Sequence, residues 1–98
     1  MVYLNGSNKI SRWEILSRGG ITGTVADPRL IMKKALEEEA TALILVHNHP
    51  SGNLKPSRAD EDLTRKIKAA ALLFDVRLLD HLIVSQEGYF SFADEGLL

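Results

Sequence analysis

The run Ala42-Leu43-Ile44-Leu45-Val46 constrains the fold of this chain more than any other feature. It is short, unbroken by polar residues and rich in strand formers, the pattern of a strand covered on both faces at the centre of a sheet. Helical patterns flank it. Asp27-Pro28 opens the first, because Asp caps free backbone N–H groups and Pro fits the first helical position. Met32, Ala35, Leu36 and Ala40 then share one face, while Lys33, Lys34, Glu37 and Glu38 can stay in water. The second helix follows from Ser57, with Leu63, Ile67, Ala70, Ala71 and Phe74 as its buried side.

The remaining segments read as strands. Val2-Tyr3-Leu4 looks like a strand entered part-way, and Ile10 to Leu16 alternates until Gly19-Gly20 interrupts it. Val76 to Leu79 and Leu82 to Val84 form a strand with an irregularity at Asp80-His81. Gln86-Glu87-Gly88 then turns into a last strand, Tyr89 to Phe92. This order predicts a small α/β architecture, a mixed sheet of four or five strands flanked by helices. Residues 1–98 make one domain, since a chain of 98 residues supports a single core and is far short of the roughly 250 that a (β/α)₈ barrel needs.

Composition narrows the chemistry. The chain has no cysteine, so disulfides, thiolate nucleophiles and Cys-ligated zinc are excluded, and any metal site must be built from His, Asp and Glu. A reducing, cytoplasmic location suits such a chain. The formal net charge of -1 supplies no pull towards nucleic acid or an anionic membrane. No apolar run reaches the ~18 to 20 residues of a membrane span.

The polar stretch after the central run carries the chemistry. Side chains two apart on a strand share a face, so Leu43, Leu45, His47 and His49 align and the two imidazoles stand together where the strand leaves the core. Pro50 holds His49 extended. After a Gly-containing loop, Ser57 and Asp60 open the next helix. Two neutral imidazoles and a carboxylate supply three zinc ligands and leave a fourth position for water, as catalytic rather than structural sites do. Ser57-x-x-Asp60 by itself is equally a helix-capping pair, and the two roles are compatible, because a hydroxyl can accept from the residue 60 N–H while donating its own proton.

Taken together, His47-x-His49-Pro50, six residues, then Ser57-x-x-Asp60 resembles the full signature of the JAMM/MPN+ metalloprotease fold. The surrounding ALILVHNHPSGNLKPSRAD, with LLDHLIV downstream and GYFSF and EGLL near the end, is similar to the bacterial RadC-like subgroup. The resemblance covers nearly the whole chain. It implies a JAB/MPN-like fold with cytidine-deaminase-like layering, a Zn²⁺ held by His47, His49 and Asp60, Ser57 assisting transition-state stabilisation, and an upstream Glu as general acid/base. Glu14 is the match for that glutamate; its competing reading is a solvent-facing residue at a strand edge. The implied reaction is peptide or isopeptide hydrolysis, with Glu14 taking a proton from activated water and returning it to the departing amine. RadC-like proteins also carry a longer N-terminal region with a helix-hairpin-helix segment, which this stretch lacks along with part of its first strand.

Two further functions compete. One is a DNA-associated repair module, suggested by the naming of RadC-like proteins and by Arg58, Arg65, Lys66 and Lys68; Asp60, Glu61 and Asp62 interrupt that patch and the net charge disfavours it. The other is a metal-stabilised interaction domain without catalysis, whose open sheet edge recruits a partner strand or a second copy. Asp80-His81 reads as a turn or edge pair, or as a hydrogen-bonding support for a ligand imidazole, with His81 itself not a ligand. Trp13, Phe74, Phe90 and Phe92 are expected in the core or covering the sheet.

Overall fold

The computed structural model describes residues 1–7, 9–13, 27–49 and 52–98, with residues 11–13 described through their backbone pairing. Its elements are β1 (Val2–Leu4), β2 (Ile10–Trp13), α1 (Pro28–Glu37), β3 (Ala42–Asn48), α2 (Arg58–Leu72), β4 (Arg77–Ser85) and β5 (Gly88–Ser91). They form a mixed sheet of order β2-β1-β3-β4-β5. The apolar run is therefore the central strand. β1 is antiparallel to β2 and β3, β4 is parallel to β3, and β5 is antiparallel to β4. A parallel neighbour requires a crossover, and α2 supplies it.

One face of the sheet carries the core. Tyr3, Leu43, Leu45 and Leu78 pack there with Ile31, Met32 and Ala35 of α1 and Ile67 and Ala71 of α2. Each of the leucine, isoleucine and methionine side chains, fully withdrawn from water, contributes about 1.5–3 kcal/mol. The other face is covered less completely among the described residues: Ala42 is buried, Ile44 half-buried and Val46 45% exposed. The expectation of a strand covered on both faces thus holds for the first half of β3 only. Its second half approaches the sheet rim, where the polar residues begin.

Both helices start and stop by local chemistry. Asp27 accepts the Arg29 N–H at the start of α1, and Pro28 follows it. Ser57 and Asp60 make a reciprocal capping box at the start of α2. At the other ends the chain twice forms the same turn. Ala40 N–H donates to the Ala35 carbonyl and Glu39 N–H to Leu36, while Val76 N–H donates to Ala71 and Asp75 N–H to Leu72. In each the residue before the last donor is left-handed, Glu39 at φ 51° and Asp75 at φ 57°, the Schellman arrangement that glycine ordinarily serves. Ala40 and Val76, the residues that follow, are buried. The turns thereby aim the chain into β3 and β4.

Two expected core residues lie outside it. Leu36 is 47% exposed because it stands about a quarter turn off the Ile31-Met32-Ala35 stripe. Phe74 is 55% exposed because α2 ends at Leu72, so helical spacing no longer applies at its position. Phe92 is buried and Phe90 half-buried, and the side chain of Trp13 lies outside the described residues. Among the described residues no helix is long and apolar enough to cross a membrane.

β4 is one continuous strand with an extra residue. Leu43 pairs with Leu78, and Ile44 with Asp80, which leaves Leu79 without an opposite number. Across this bulge Leu78 and His81, three apart, come to share the helix-covered face, and His81 pairs with Leu45. The irregularity expected at Asp80-His81 falls one residue earlier.

Candidate metal centre

β3 runs two residues beyond its apolar portion, and the His49 N–H continues the ladder to the Val84 carbonyl at 2.9 Å. Alternation therefore persists through both histidines, and their rings meet edge to face with centroids 4.7 Å apart. Asn48 lies between them, exposed. Asp60 arrives from the first turn of α2. Its Oδ1 lies 2.6 Å from His47 Nδ1, and its Oδ2 lies 3.2 Å from His49 Nε2.

Asp60 is held before anything binds. The Ser57 N–H donates to its Oδ2 at 2.8 Å, and the Asp60 N–H donates to Ser57 Oγ at 3.1 Å. Only 4% of its side chain is exposed, against 16% for His49 and 44% for His47. Burial pushes the Asp60 carboxyl up, but the hydrogen bonds of Ser57 and the neighbouring His47 outweigh this and hold it below the usual carboxylate value. A carboxylate kept ionised in a nearly closed place, facing two imidazoles, is matched to a cation.

His49 is oriented from behind. Its Nδ1 lies 2.7 Å from the Asn53 carbonyl, which can only accept, so Nδ1 carries a proton and Nε2 is the nitrogen turned towards Asp60. Support of this kind is the usual device for fixing a ligand tautomer. The loop supplying that carbonyl is shaped by the Lys55 N–H donating to Asn53 Oδ1 and by Gly52 at φ 82°.

One ligand atom from each of His47, His49 and Asp60 lies within 4.8 Å of the others. Ligand atoms on one tetrahedral zinc with bonds of ~2.0–2.2 Å stand about 3.3–3.6 Å apart, so small rotamer changes bring the three together. Imidazole and carboxylate donors suit zinc and other first-row divalent ions. The residues present can hold a metal ion.

Other expected residues fall differently. Ser57 sits at the rim as the helix cap, its hydroxyl accepting within the box. Glu14 and Pro50 lie outside the described residues. Asp80 does not support a ligand imidazole: its carboxylate accepts from the His81 and Ala93 N–H groups and from Ser91 Oγ. That ties the residues after β5 to β4 and makes Asp80 a strand residue rather than a turn. His81 is buried and stands outside the three-residue cluster. Arg65 pairs with Asp62, which neutralises part of the basic patch on α2.

Thr64 escaped the sequence reading. It is buried one helical turn after Asp60, and the four-residue spacing on the same helix face was the available signal.

Comparison with known proteins places the chain in a family. A family model described as the RadC-like JAB domain matches residues 1–97. A relative in Porphyromonas gingivalis, named "UPF0758 protein", is 56% identical over 99 residues, covering all of this chain and 44% of the relative. One of the same name in Flavobacterium johnsoniae is 54% identical over 97 residues, 99% of this chain and 42% of the relative. The chain thus spans less than half the length of the curated relatives it matches. By its sequence match over residues 1–97, the chain belongs to the RadC-like JAB domain family.

Proposed function

We propose that this domain is a zinc-dependent metallohydrolase of JAMM type that cleaves a peptide or isopeptide bond, with His47, His49 and Asp60 as the metal ligands. The observation that carries the reading is an ionised, almost closed carboxylate facing two imidazoles, one of them oriented from behind. A bound Zn²⁺ supplies a Lewis acid and lowers the pKa of its water to about 7.

The chain's own residues do the rest. Ser57, at the rim beside Asp60, keeps its hydroxyl proton for an oxygen that gains charge on the substrate, since its cap role uses it as an acceptor. Glu14 is the proposed proton carrier between water and the leaving amine. The substrate is a peptide or protein segment, and the absence of cysteine suits a reducing cytoplasm.

The test is metal analysis of the purified protein together with turnover of a fluorogenic peptide and isopeptide library, with and without chelator. Glu14→Gln should retain zinc and lose cleavage, whereas His47→Ala and Asp60→Ala should lose both. Full cleavage by Glu14→Gln overturns the role of Glu14. A wild-type protein that neither binds zinc nor cleaves in its presence overturns the reading as a whole.

A further inference from the structure

Beneath the three-residue cluster lies a buried polar pair that the proposed reaction does not use. Thr64 Oγ1 is 2.8 Å from the Asp60 carbonyl oxygen and 2.6 Å from His81 Nδ1. The hydroxyl has one proton and the carbonyl can only accept, so that proton belongs to the Asp60 carbonyl. The second contact must therefore run the other way, with His81 Nδ1–H donating to Thr64 Oγ1. One hydrogen-bonding direction is dictated by the other, and the His81 tautomer with it.

The pair joins the two elements that supply the cluster. Thr64 and Asp60 belong to the first half of α2, while His81 pairs across the sheet with Leu45, two residues before His47 on β3. The His81 ring stacks on Phe92, with centroids 4.7 Å apart and planes 9° apart, and faces His47 at 6.3 Å and 22°. Phe92 is fixed in turn by its N–H donating to the His81 carbonyl and by the Asp80 carboxylate that gathers Ser91 and Ala93. Thr64 and His81 are 2% and 1% exposed. Two apolar side chains would close this space without the cost of desolvating a hydroxyl and an imidazole.

We infer that Thr64 and His81 are positioning residues for the metal centre: their hydrogen bond sets the spacing between the helix that carries Asp60 and the sheet that carries His47. The inference rests on the reading of His47, His49 and Asp60 as metal ligands. A brace of this kind acts on metal affinity and coordination geometry, whereas a merely structural contact acts on stability alone.

The metal-free protein tests the first half. Long-range ¹H–¹⁵N correlation spectra at pH 7 should show His81 protonated at Nδ1 and bare at Nε2, and a His81 found with its proton on Nε2 overturns the brace. The second half uses the zinc dissociation constant, by chelator competition, and the visible spectrum of the Co²⁺-substituted protein. Thr64→Val should weaken zinc binding about 10- to 100-fold and alter the Co²⁺ bands, while Thr64→Ser, which keeps the hydroxyl, should restore both to within about threefold of wild type.

Wild-type affinity and an unchanged Co²⁺ spectrum in Thr64→Val overturn the inference even where its melting temperature falls. Should Thr64→Val fail to fold, Thr64→Ser and His81→Phe decide: the first must bind as wild type and the second must show the loss. Failure of the wild-type protein to bind zinc or Co²⁺ overturns the underlying metal-site reading instead, and the tautomer experiment still judges the brace.

Discussion

His47 Nδ1 and Asp60 Oδ1 stand 2.6 Å apart although one residue lies near the end of the central strand and the other in the first turn of the following helix. A side-chain contact bridges two elements there, and a cation in the same place would cross-link them. Because the ligands converge only in the folded chain, metal binding is folding free energy. Free Zn²⁺ at about 100 times its dissociation constant should add about 2.7 kcal/mol of stability. Calorimetry should then show the melting temperature rising by roughly 10–20 °C, the span expected for a chain of this size. Asp60→Ala should remove that response. A melting curve indifferent to zinc and to chelator would count against the site.

The capping box can be dissected without touching a ligand. Ser57→Ala removes the oxygen that accepts the Asp60 N–H but leaves the Ser57 N–H bond to Asp60 Oδ2 in place. It should cost about 1 kcal/mol in urea unfolding. Metal affinity should fall far less than in Asp60→Ala, since the carboxylate keeps its backbone anchor.

The left-handed turn at the end of α1 offers a gain in stability. Glu39 is exposed at φ 51°, a conformation that costs an ordinary L-residue about 1–2 kcal/mol and glycine almost nothing. Part of the gain is lost to the greater freedom of glycine in the unfolded chain, about 0.4–1 kcal/mol. Glu39→Gly should therefore stabilise the domain by about 0.5–1 kcal/mol, and Glu39→Val should destabilise it, both read from denaturant midpoints. Asp75→Gly should gain less, because Asp tolerates this conformation better.

Acid should weaken the fold through His81. Burial pushes its imidazole down from 6.5 to about 4; the Asp60 and Asp80 carboxylates oppose that shift, and His47 and His49 reinforce it. The folded value lies below the unfolded one, so between them the unfolded chain binds more protons and stability rises with pH. The contribution is complete above about pH 6.5 and is lost as pH falls towards 4, about 3 kcal/mol in all. In stability curves measured across this window, His81→Phe should be flatter than wild type. Parallel curves would contradict the neutral, buried imidazole.

Much of the site was legible because its chemistry is local. The alternation that buries Leu43 and Leu45 extends to His47 and His49, and Ser57-x-x-Asp60 reads as a cap whichever else it does. Helix starts were equally plain at Asp27-Pro28 and Ser57. The ends were not, since Glu39 and Asp75 stand where glycine usually announces a left-handed turn. Phe74 was assigned to the core for that reason, by spacing carried past the end of α2, whereas Leu36 lies within α1 and was placed on a stripe that runs a quarter turn away from it. Thr64 was only half legible: its four-residue spacing from Asp60 put it on that helix face, but its pairing with His81 depends on β4 lying alongside α2, a relation between segments that no spacing within one segment expresses.

Strict alternation from Leu78 would turn Asp80 towards α2 and His81 away from it. The unpaired Leu79 reverses that choice, so a negative charge points to Ser91 and Ala93 while a neutral ring lines the ground under His47. A chain shortened by this one leucine would keep the same pairing on either side of the gap. Removal of a residue further along β4 would instead trade ring for carboxylate, and a cation held above would meet a second anion beside Asp60 where it now meets an aromatic floor.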